Sequence, residues 1–242
     1  MDINCDMGEM SESWYSGYDK DILNFITSIN VSCGAHAGDE ALITDTVKEA
    51  VKQKLKIGAH PSFPDALNFG RVVMEMSSED LRQTLFQQIL FLKDIVEKEG
   101  GKLHHLKPHG ALYNLAAQDV GVASVLVNVL TEIDKSLILY CPFKSALEKE
   151  ARKFGLTVWR EAFADRTYEK DGSLVKRSKE DALILDPLLA LEQVKGIWNF
   201  KLVKTLGGEV IAMEADTICI HGDGSKAVEI ASSLSQYFFN KY

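Results

Sequence analysis

The chain alternates between short β-branched runs and longer stretches in which apolar residues recur every three to four positions. The short runs predict strands, and they lie near residues 2–5, 27–32, 55–59, 102–107, 136–140, 156–160 and 216–220. The longer stretches predict helices, and they lie near residues 41–53, 77–99, 120–130, 145–154, 187–201 and 223–239. Strands that alternate with helices indicate a parallel sheet, and seven strands over 242 residues favour a closed seven-stranded (β/α) barrel.

Two polar segments lie outside this alternation. Residues 165–181 have the composition of a loop, and residues 205–214 contain Gly207-Gly208, which predicts a small hairpin. The sequence contains no linker, internal repeat or low-complexity tract. We therefore predict a single barrel domain over residues 1–242.

Chemically capable side chains follow five of the predicted strands at the point where each strand ends. Parallel α/β folds place their sites at the carboxyl ends of strands, so these side chains are expected to meet at one rim. The five clusters are Asn4-Cys5-Asp6-Met7-Gly8-Glu9, Cys33-Gly34-Ala35-His36-Ala37-Gly38-Asp39, His60-Pro61-Ser62-Phe63-Pro64-Asp65, Lys107-Pro108-His109-Gly110-Ala111-Leu112-Tyr113-Asn114 and His221-Gly222-Asp223.

The cluster that begins at Lys107-Pro108-His109 contains the largest number of side chains capable of catalysis or ligand binding. The proline holds Lys107 in an extended conformation, and strand alternation then puts His105, Lys107 and His109 on one face. Gly110 allows a tight turn into a helix whose first N–H groups suit a developing oxyanion. The alternative is a lysine and a histidine that only cap the barrel mouth. His104 points the other way and is interpreted as structural.

Two further histidines are candidates for the same site. His36 lies between Gly34 and Gly38, which let the backbone approach a ligand closely, although a core histidine is the competing interpretation. His60 lies on a loop that two prolines make rigid, and Asp65 is a second candidate on that loop.

The remaining candidates are acids and one arginine. Asp6 shares a strand face with Asn4, and it could orient a histidine, ligate a metal, act as a base or only accept from loop N–H groups. Glu9 follows on the same loop. Arg71 could grip a carboxylate at two points or be an ordinary surface charge.

Other charged residues near strand ends have a structural interpretation. Asp39 and Asp223 each precede a predicted helix and are expected to cap it. Asp165 and Arg166 could form an ion pair that shapes the rim, and His221 could face the pocket.

Composition and charge exclude several classes of function. The net charge of −8 and the pI near 5.3 disfavour a nucleic-acid partner. No run of about 18 apolar residues exists, so no membrane span is expected. The N-terminus is strand-like and lacks a secretory signal, which predicts a cytoplasmic protein. Its four cysteines are widely spaced, so we expect buried free thiols.

Seven blocks of the chain together resemble the LamB/YcsF family, in order and over essentially the whole length. They are the five clusters above with Phe69-Gly70-Arg71 and Phe163-Ala164-Asp165-Arg166. The resemblance implies a seven-stranded barrel similar to glycoside hydrolase and deacetylase barrels. It also implies the role of the A subunit in an ATP-dependent 5-oxoprolinase, which opens the lactam of 5-oxo-L-proline to L-glutamate together with subunits B and C.

Some positions depart from the family pattern. Val72 stands where a second arginine is common, so Arg71 is left alone for a carboxylate clamp. Ala35 stands where an aromatic is frequent, and Glu40 and Lys176 stand where prolines are common.

The resemblance and the strand-end positions together assign roles. ATP is the expected co-substrate, and because no G-x-x-x-x-G-K-[ST] loop exists, partner subunits are expected to bind most of it. In this hypothesis, Asp6 or His109 is the general base and Lys107 stabilises the developing charge. The catalytic candidates are Asp6, His36, His60, Lys107 and His109. The substrate-binding candidates are Asn4, Glu9, Asp65, Arg71, Tyr113, Asn114, Asp165, Arg166 and His221.

Three alternatives stay open at this point. Asp6, His36, His60 and His109 could together bind Zn²⁺ or Mn²⁺. The chain could act alone as a metal-dependent amidase or deacetylase, or it could be a non-catalytic substrate-binding subunit. The sequence also leaves open whether the chain forms a homo-oligomer.

Overall fold

Seven parallel strands close into a barrel in the computed structural model, which describes residues 1–239. The barrel strands are β1 (Asp2–Met7), β2 (Ser28–Ser32), β3 (Lys56–His60), β4 (Leu103–Leu106), β5 (Ile138–Pro142), β6 (Val158–Phe163) and β9 (Thr217–Ile220). Around the barrel the strand order is β1-β2-β3-β4-β5-β6-β9, and every neighbouring pair is parallel. The predicted seven-stranded barrel is therefore confirmed.

Helices follow most strands and cover the outside of the barrel. They are α1 (Ser11–Ser16), α2 (Tyr18–Leu23), α3 (Glu40–Lys52), α4 (Ser78–Lys98), α5 (Gly110–Ala116), α6 (Val120–Ile133), α7 (Ala146–Lys153), α8 (Pro187–Lys195) and α9 (Ala227–Phe239). The pattern does not reveal α1 and α2, because Gly17 in the left-handed region divides them into single turns too short to show a period.

The predicted hairpin is confirmed between two short antiparallel strands, β7 (Leu202–Lys204) and β8 (Val210–Ala212). Its turn is closed by the N–H of Thr205, which donates to the carbonyl of Glu209 at 2.8 Å. A single π-helical turn, Gly196–Phe200, joins α8 to this hairpin.

Side-chain caps define where several helices begin. Asp39 accepts from the N–H of Leu42 at the start of α3, as predicted, and such a cap contributes about 1 kcal/mol. The corresponding prediction for Asp223 is wrong. Helix α9 begins at Ala227, and the Asp223 carboxylate accepts instead from Arg71 and Arg177.

Helix α4 illustrates how the outer helices attach to the barrel. Its apolar stripe is fully buried against β3, β4 and α6, and each such side chain contributes roughly 1.5–3 kcal/mol through burial. The stripe consists of Leu81, Leu85, Ile89, Leu92 and Val96.

Polar side chains fill part of the barrel interior. His105 stacks on Tyr140 with ring centroids 4.0 Å apart, and its Nε2 lies 2.7 Å from Asn30 Oδ1. Gly58 makes room for this ring, since a Cβ there would lie 2.1 Å from His105 Nε2. His105 thus points inward as alternation predicts, but it lies below the mouth. His104 contacts Trp159, and its Nδ1 lies 3.1 Å from His105 Nδ1.

The cysteines are free and buried, as predicted. Within residues 1–239, no single helix has the length and apolar composition needed to cross a membrane; α5 and α6 meet those criteria only as a pair bent by 110°. The extension of the domain to residue 242 stays a prediction, because residues 240–242 lie outside the described part of the chain.

Candidate active site

A cavity of about 690 Å³ opens at the carboxyl ends of the barrel strands. Four of the five strand-end clusters line it, together with part of the loop of residues 165–186, whereas the cluster of residues 33–39 lies behind the wall. Its polar wall includes Asp6, Glu9, His60, Arg71, Lys107, His109, Tyr113, Asn114, Arg166, Lys176, Arg177, Lys179, His221 and Asp223. Loops that are far apart in the sequence therefore meet at one mouth of the barrel, as predicted.

Lys107 occupies the floor of this cavity with its ammonium group fully surrounded. Its Nζ lies 2.9 Å from Asp6 Oδ1, 3.1 Å from Glu161 Oε1 and 3.1 Å from Cys219 Sγ. Burial alone would lower the pKa of Lys107, but the charges of Asp6 and Glu161 raise it well above its usual value. Lys107 is therefore a permanent cation with its N–H groups already engaged.

Asp6 is held as a carboxylate. Its Oδ1 accepts from Lys107 and, at 2.8 Å, from Asn30 Nδ2, while its Oδ2 lies 3.4 Å from His60 Nε2. Burial opposes ionisation, yet the neighbouring His60 imidazole and the charge of Lys107 keep the pKa of Asp6 well below its usual range. Such a carboxylate is better suited to orienting a neighbour or binding a cation than to accepting a proton.

His60 and His109 have their outer nitrogens fixed by backbone carbonyls. His60 Nδ1 lies 2.8 Å from the carbonyl of Lys107, and His109 Nε2 lies 2.9 Å from the carbonyl of Phe69. A carbonyl only accepts, so each of these nitrogens carries the proton. His60 Nε2 and His109 Nδ1 then face each other at 3.0 Å.

The loop that orients His109 depends on one glycine. Gly70 has φ +63°, and a Cβ at this position would lie 2.9 Å from His109 Cδ2 and 3.0 Å from the Cβ of His36. The absence of a side chain lets the loop cross closely over both imidazoles. Phe69, just before it, contacts the edges of the same two rings.

His36 lies behind this pair and holds Glu9. The Ser62 hydroxyl donates to the carbonyl of Phe63, so it accepts from His36 Nδ1 at 2.9 Å. His36 Nε2 is consequently an acceptor, 3.1 Å from Glu9 Oε1. Burial and the charge of Asp6 raise the pKa of Glu9 to about 7. A protonated Glu9 can therefore donate to His36.

Two of the three imidazoles are neutral in this environment. Burial, followed by the neighbouring His60 imidazole, lowers the pKa of His36 to about 3 and that of His109 to about 2. Their lone pairs stay available at physiological pH. This property suits a nitrogen that binds a metal or accepts a hydrogen bond better than one that acts as a general base.

A cationic rim surrounds the outer half of the cavity. Arg71 Nη2 and Arg177 Nη1 each donate to Asp223 Oδ2 at 2.9 Å, although the three residues lie on different loops. Lys176 and Lys179 line the same wall. Position 72 is a valine and not a second arginine, but Arg177 from another loop lies beside Arg71 and contacts the same carboxylate.

His221 and its neighbours form the wall beyond Lys107. His221 stacks on Phe163, and Asp165 accepts from both its backbone N–H and its Nδ1, at 2.8 Å and 3.0 Å. The predicted ion pair between Asp165 and Arg166 is wrong. Arg166 instead donates to the backbone carbonyls of Val175 and Ala182, which fixes the loop of residues 165–186.

Several predicted site residues lie outside the cavity wall. Asn4 lies under the floor, where it donates to Glu161 and Thr217, and Asp165 lies behind His221. Asp65 accepts from Asn68 within its own turn and does not line the cavity, so the structure gives its substrate-binding assignment no support. His36 reaches the cavity only through Glu9.

The predicted use of the α5 N–H groups also requires correction. The N–H of Ala111 donates to the carbonyl of Gly70 at 3.0 Å, so it is not directed at a ligand. Tyr113 and Asn114, which follow on α5, do line the cavity.

Glu161 is the main residue that the sequence did not reveal. It is buried beside Lys107, and its Oε2 and the hydroxyl of Tyr113 lack hydrogen-bond partners among the described residues. The strand was predicted to end at residue 160, which left Glu161 outside it, whereas β6 continues to Phe163. Alternation along the full strand would have pointed Glu161 inward.

Three groups of side chains bring potential metal ligands together within the described residues. They are Asp6 with His60 and His109, Glu9 with His36 and His109, and Asp6 with Cys219 and His221. The first group contains three of the four residues considered for a metal from the sequence.

The chain is similar to proteins of stated function over nearly its full length. It is 43% identical over 239 residues to the A subunit of a 5-oxoprolinase from Bacillus cereus strain AH187, covering 98% of this chain and 94% of that protein. The A subunit of a 5-oxoprolinase from Bacillus thuringiensis subsp. konkukian is also 43% identical, with the same coverage.

A solved structure agrees with this similarity. The crystal structure of the lactam utilization protein from Thermus thermophilus superposes with a TM-score of 0.89 at 36% identity, covering 98% of this chain and 94% of that one. The profile of the LamB/YcsF family matches residues 1–241. The chain therefore belongs to the LamB/YcsF family.

Proposed function

We propose that this chain is the lactam-opening subunit of an ATP-dependent 5-oxoprolinase, which converts 5-oxo-L-proline to L-glutamate with subunits B and C. The names of its relatives support a hydrolase that acts on a lactam within a complex of several subunits. The observation that carries the proposal is the placement of two arginines at the mouth of a cavity whose floor holds Asp6, His60 and His109.

The arginines suit the one charged group of the substrate. Arg71 and Arg177 share a single carboxylate oxygen of Asp223, and a substrate carboxylate can replace Asp223 with bidentate geometry. The lactam ring then points inward, past Phe163 and Tyr113, toward the imidazoles. A cavity of about 690 Å³ is larger than this small substrate needs, which leaves room for a phosphoryl group on it.

ATP is needed because an unstrained five-membered lactam is a poor electrophile. Transfer of the γ-phosphoryl group to the lactam oxygen, with release of ADP, gives an electrophilic carbon. Water adds to that carbon, and the C–N bond breaks with protonation of nitrogen, which gives an acyl phosphate of glutamate. A second water hydrolyses this acyl phosphate and releases phosphate and glutamate. ATP is expected to bind mainly to partner subunits, since this chain has no phosphate-binding loop motif.

The floor residues divide the remaining work. His60 Nε2 and His109 Nδ1, which face each other at the cavity floor, position the attacking water. Lys107 stabilises negative charge by its field and keeps Asp6 ionised beneath His60. Glu9, with its pKa at about 7, accepts the proton of the attacking water and returns a proton to the leaving nitrogen.

The test is reconstitution with B and C, followed by measurement of ATP-dependent glutamate formation from 5-oxoproline. Asp6→Asn and His109→Ala are each expected to lower turnover by about 10²–10⁴-fold, because each removes a group that the proton-transfer step needs at the cavity floor. Asp94→Asn, on the exposed face of α4, serves as the control with turnover near wild type. Near wild-type turnover in both site variants would contradict the assignment.

The Asp6, His60 and His109 group favours one rival, a hydrolase that acts alone. That rival predicts glutamate formation by the isolated chain without ATP. The same assay, with B, C and ATP omitted in turn, separates the two functions.

A further inference from the structure

Two imidazole lone pairs at the cavity floor face each other with no proton assigned between them. His60 Nε2 and His109 Nδ1 lie 3.0 Å apart, and the outer nitrogen of each ring is the one that donates to a carbonyl. Asp6 Oδ2, a third acceptor, lies 3.4 Å from His60 Nε2. The ligand atoms of all three side chains lie within 4.8 Å of one another, and three acceptors this close repel unless a cation lies among them.

The separations match the coordination sphere of a small divalent ion. Ligand atoms about 2.0–2.1 Å from such an ion are about 3.3 Å apart in a tetrahedron and about 2.9 Å apart along an octahedral edge. The observed separations of 3.0 Å, between His60 Nε2 and His109 Nδ1, and 3.4 Å, between His60 Nε2 and Asp6 Oδ2, are close to these values.

We infer that Asp6 Oδ2, His60 Nε2 and His109 Nδ1 form a divalent transition-metal site, and that His36 does not coordinate the ion. This narrows the four-residue set considered from the sequence. It does not depend on which reaction the chain catalyses.

Ring orientation is what excludes His36. Its ring is parallel to that of His109 within 4°, with centroids 3.8 Å apart. An ion in the plane of one ring therefore lies far out of the plane of the other, where the second lone pair does not reach. The His60 and His109 rings are nearly perpendicular, at 84°, so their planes cross and both lone pairs can meet one ion. His36 instead positions Glu9 beside the site.

Each of the three ligands is fixed by a second partner, as is usual around bound metals. Backbone carbonyls of Lys107 and Phe69 orient the two imidazoles, and Lys107 with Asn30 holds the second oxygen of Asp6. Two imidazoles and one carboxylate suit Zn²⁺, Mn²⁺, Fe²⁺ or Co²⁺ better than Ca²⁺ or Mg²⁺. A bound ion would supply Lewis-acid polarisation of an oxygen in the cavity.

The direct test is metal binding by the full-length chain. Metal content after purification without chelator, and calorimetric titration of the stripped protein with Zn²⁺ and Mn²⁺, are expected to give one ion per chain. His60→Ala, His109→Ala and Asp6→Asn are expected to weaken binding by more than about 100-fold, whereas His36→Gln is expected to change it by about tenfold or less, as for an outer residue.

The outcomes separate cleanly. Failure of the metal-free wild-type chain to bind either ion would overturn the metal site. The positive charge between His60 and His109 would then be a shared proton. Equal loss in His36→Gln and His109→Ala would overturn the exclusion of His36. Should a variant fail to fold, the absorption spectrum of the Co²⁺-loaded wild-type protein still reports nitrogen ligation. None of these measurements requires ATP or subunits B and C, so they stand apart from the proposed activity.

Discussion

The two ends of the barrel contain similar residue types but differ in how donors and acceptors are matched. At the amino end, Asp2 accepts from the hydroxyls of Ser28 and Thr217 at 2.7 Å, from Thr27 at 2.8 Å and from Lys56 at 3.1 Å. At the carboxyl end, acceptor nitrogens of two histidines face each other and Asp6.

The difference shows why one buried acid is structural and the other belongs to a site. Both carboxylate oxygens of Asp2 accept hydrogen bonds from neighbouring side chains, so the buried carboxylate is fully satisfied and held in one orientation. The carboxyl end has more acceptors than protons, and it opens into a cavity. An unmatched set of polar groups in a cavity costs stability and is retained where a ligand completes it.

The largest effect expected from this comparison is on stability at the amino end. Asp2→Ala leaves buried hydroxyls and Lys56 without their acceptor, and we expect the free energy of unfolding to fall by about 3 kcal/mol. Chemical denaturation measures this change. Turnover per folded molecule is expected to stay near wild type, the opposite of Asp6→Asn, and a large loss of turnover in folded Asp2→Ala would remove the distinction between the two ends.

A smaller effect is expected at the rim. Arg177→Ala removes one of the two guanidinium groups around Asp223, so we expect KM for 5-oxoproline to rise about tenfold, equal to about 1.4 kcal/mol. Lys179→Ala, on the same wall but paired with Glu169, is the matched control. An equal rise for 2-pyrrolidinone, which has no carboxylate, would contradict recognition of that group.

The smallest effect concerns acid denaturation. Burial opposes ionisation of Asp2, but bonds from Ser28 and Thr217 outweigh it and lower its pKa below the usual 3.8. A depressed carboxyl pKa contributes stability above the unfolded value and loses it as pH falls through the folded value. We therefore expect the stability of the wild type to fall more steeply below about pH 4 than that of Asp2→Asn. If the stability of the wild type and of Asp2→Asn fell equally with decreasing pH, Asp2 would not be the source of this pH dependence.

The sequence predicted the barrel because hydrophobic periodicity and strand count are local properties. Parallel strands in a barrel all point the same way, so the chain position of Asp6, His60, Lys107 and His109 at strand ends already implied a shared mouth. Strand alternation also placed His105 inside. Both arguments need only the order of residues along one strand.

The rest depended on contacts between loops and on ring orientation. Arg177 meets Arg71 only because both reach Asp223 from separate loops, and no spacing in the chain indicates this. Glu161 was missed because strand boundaries are set by neighbouring strands as much as by local composition.

The order of residues thus determined which side chains reach the mouth of the barrel, since a strand has only two faces and one carboxyl end. Only the tertiary structure decided which nitrogen of each histidine points inward. That choice is made by carbonyls of Lys107 and Phe69, which the fold brings from other loops, and it separates His60 and His109 from His36.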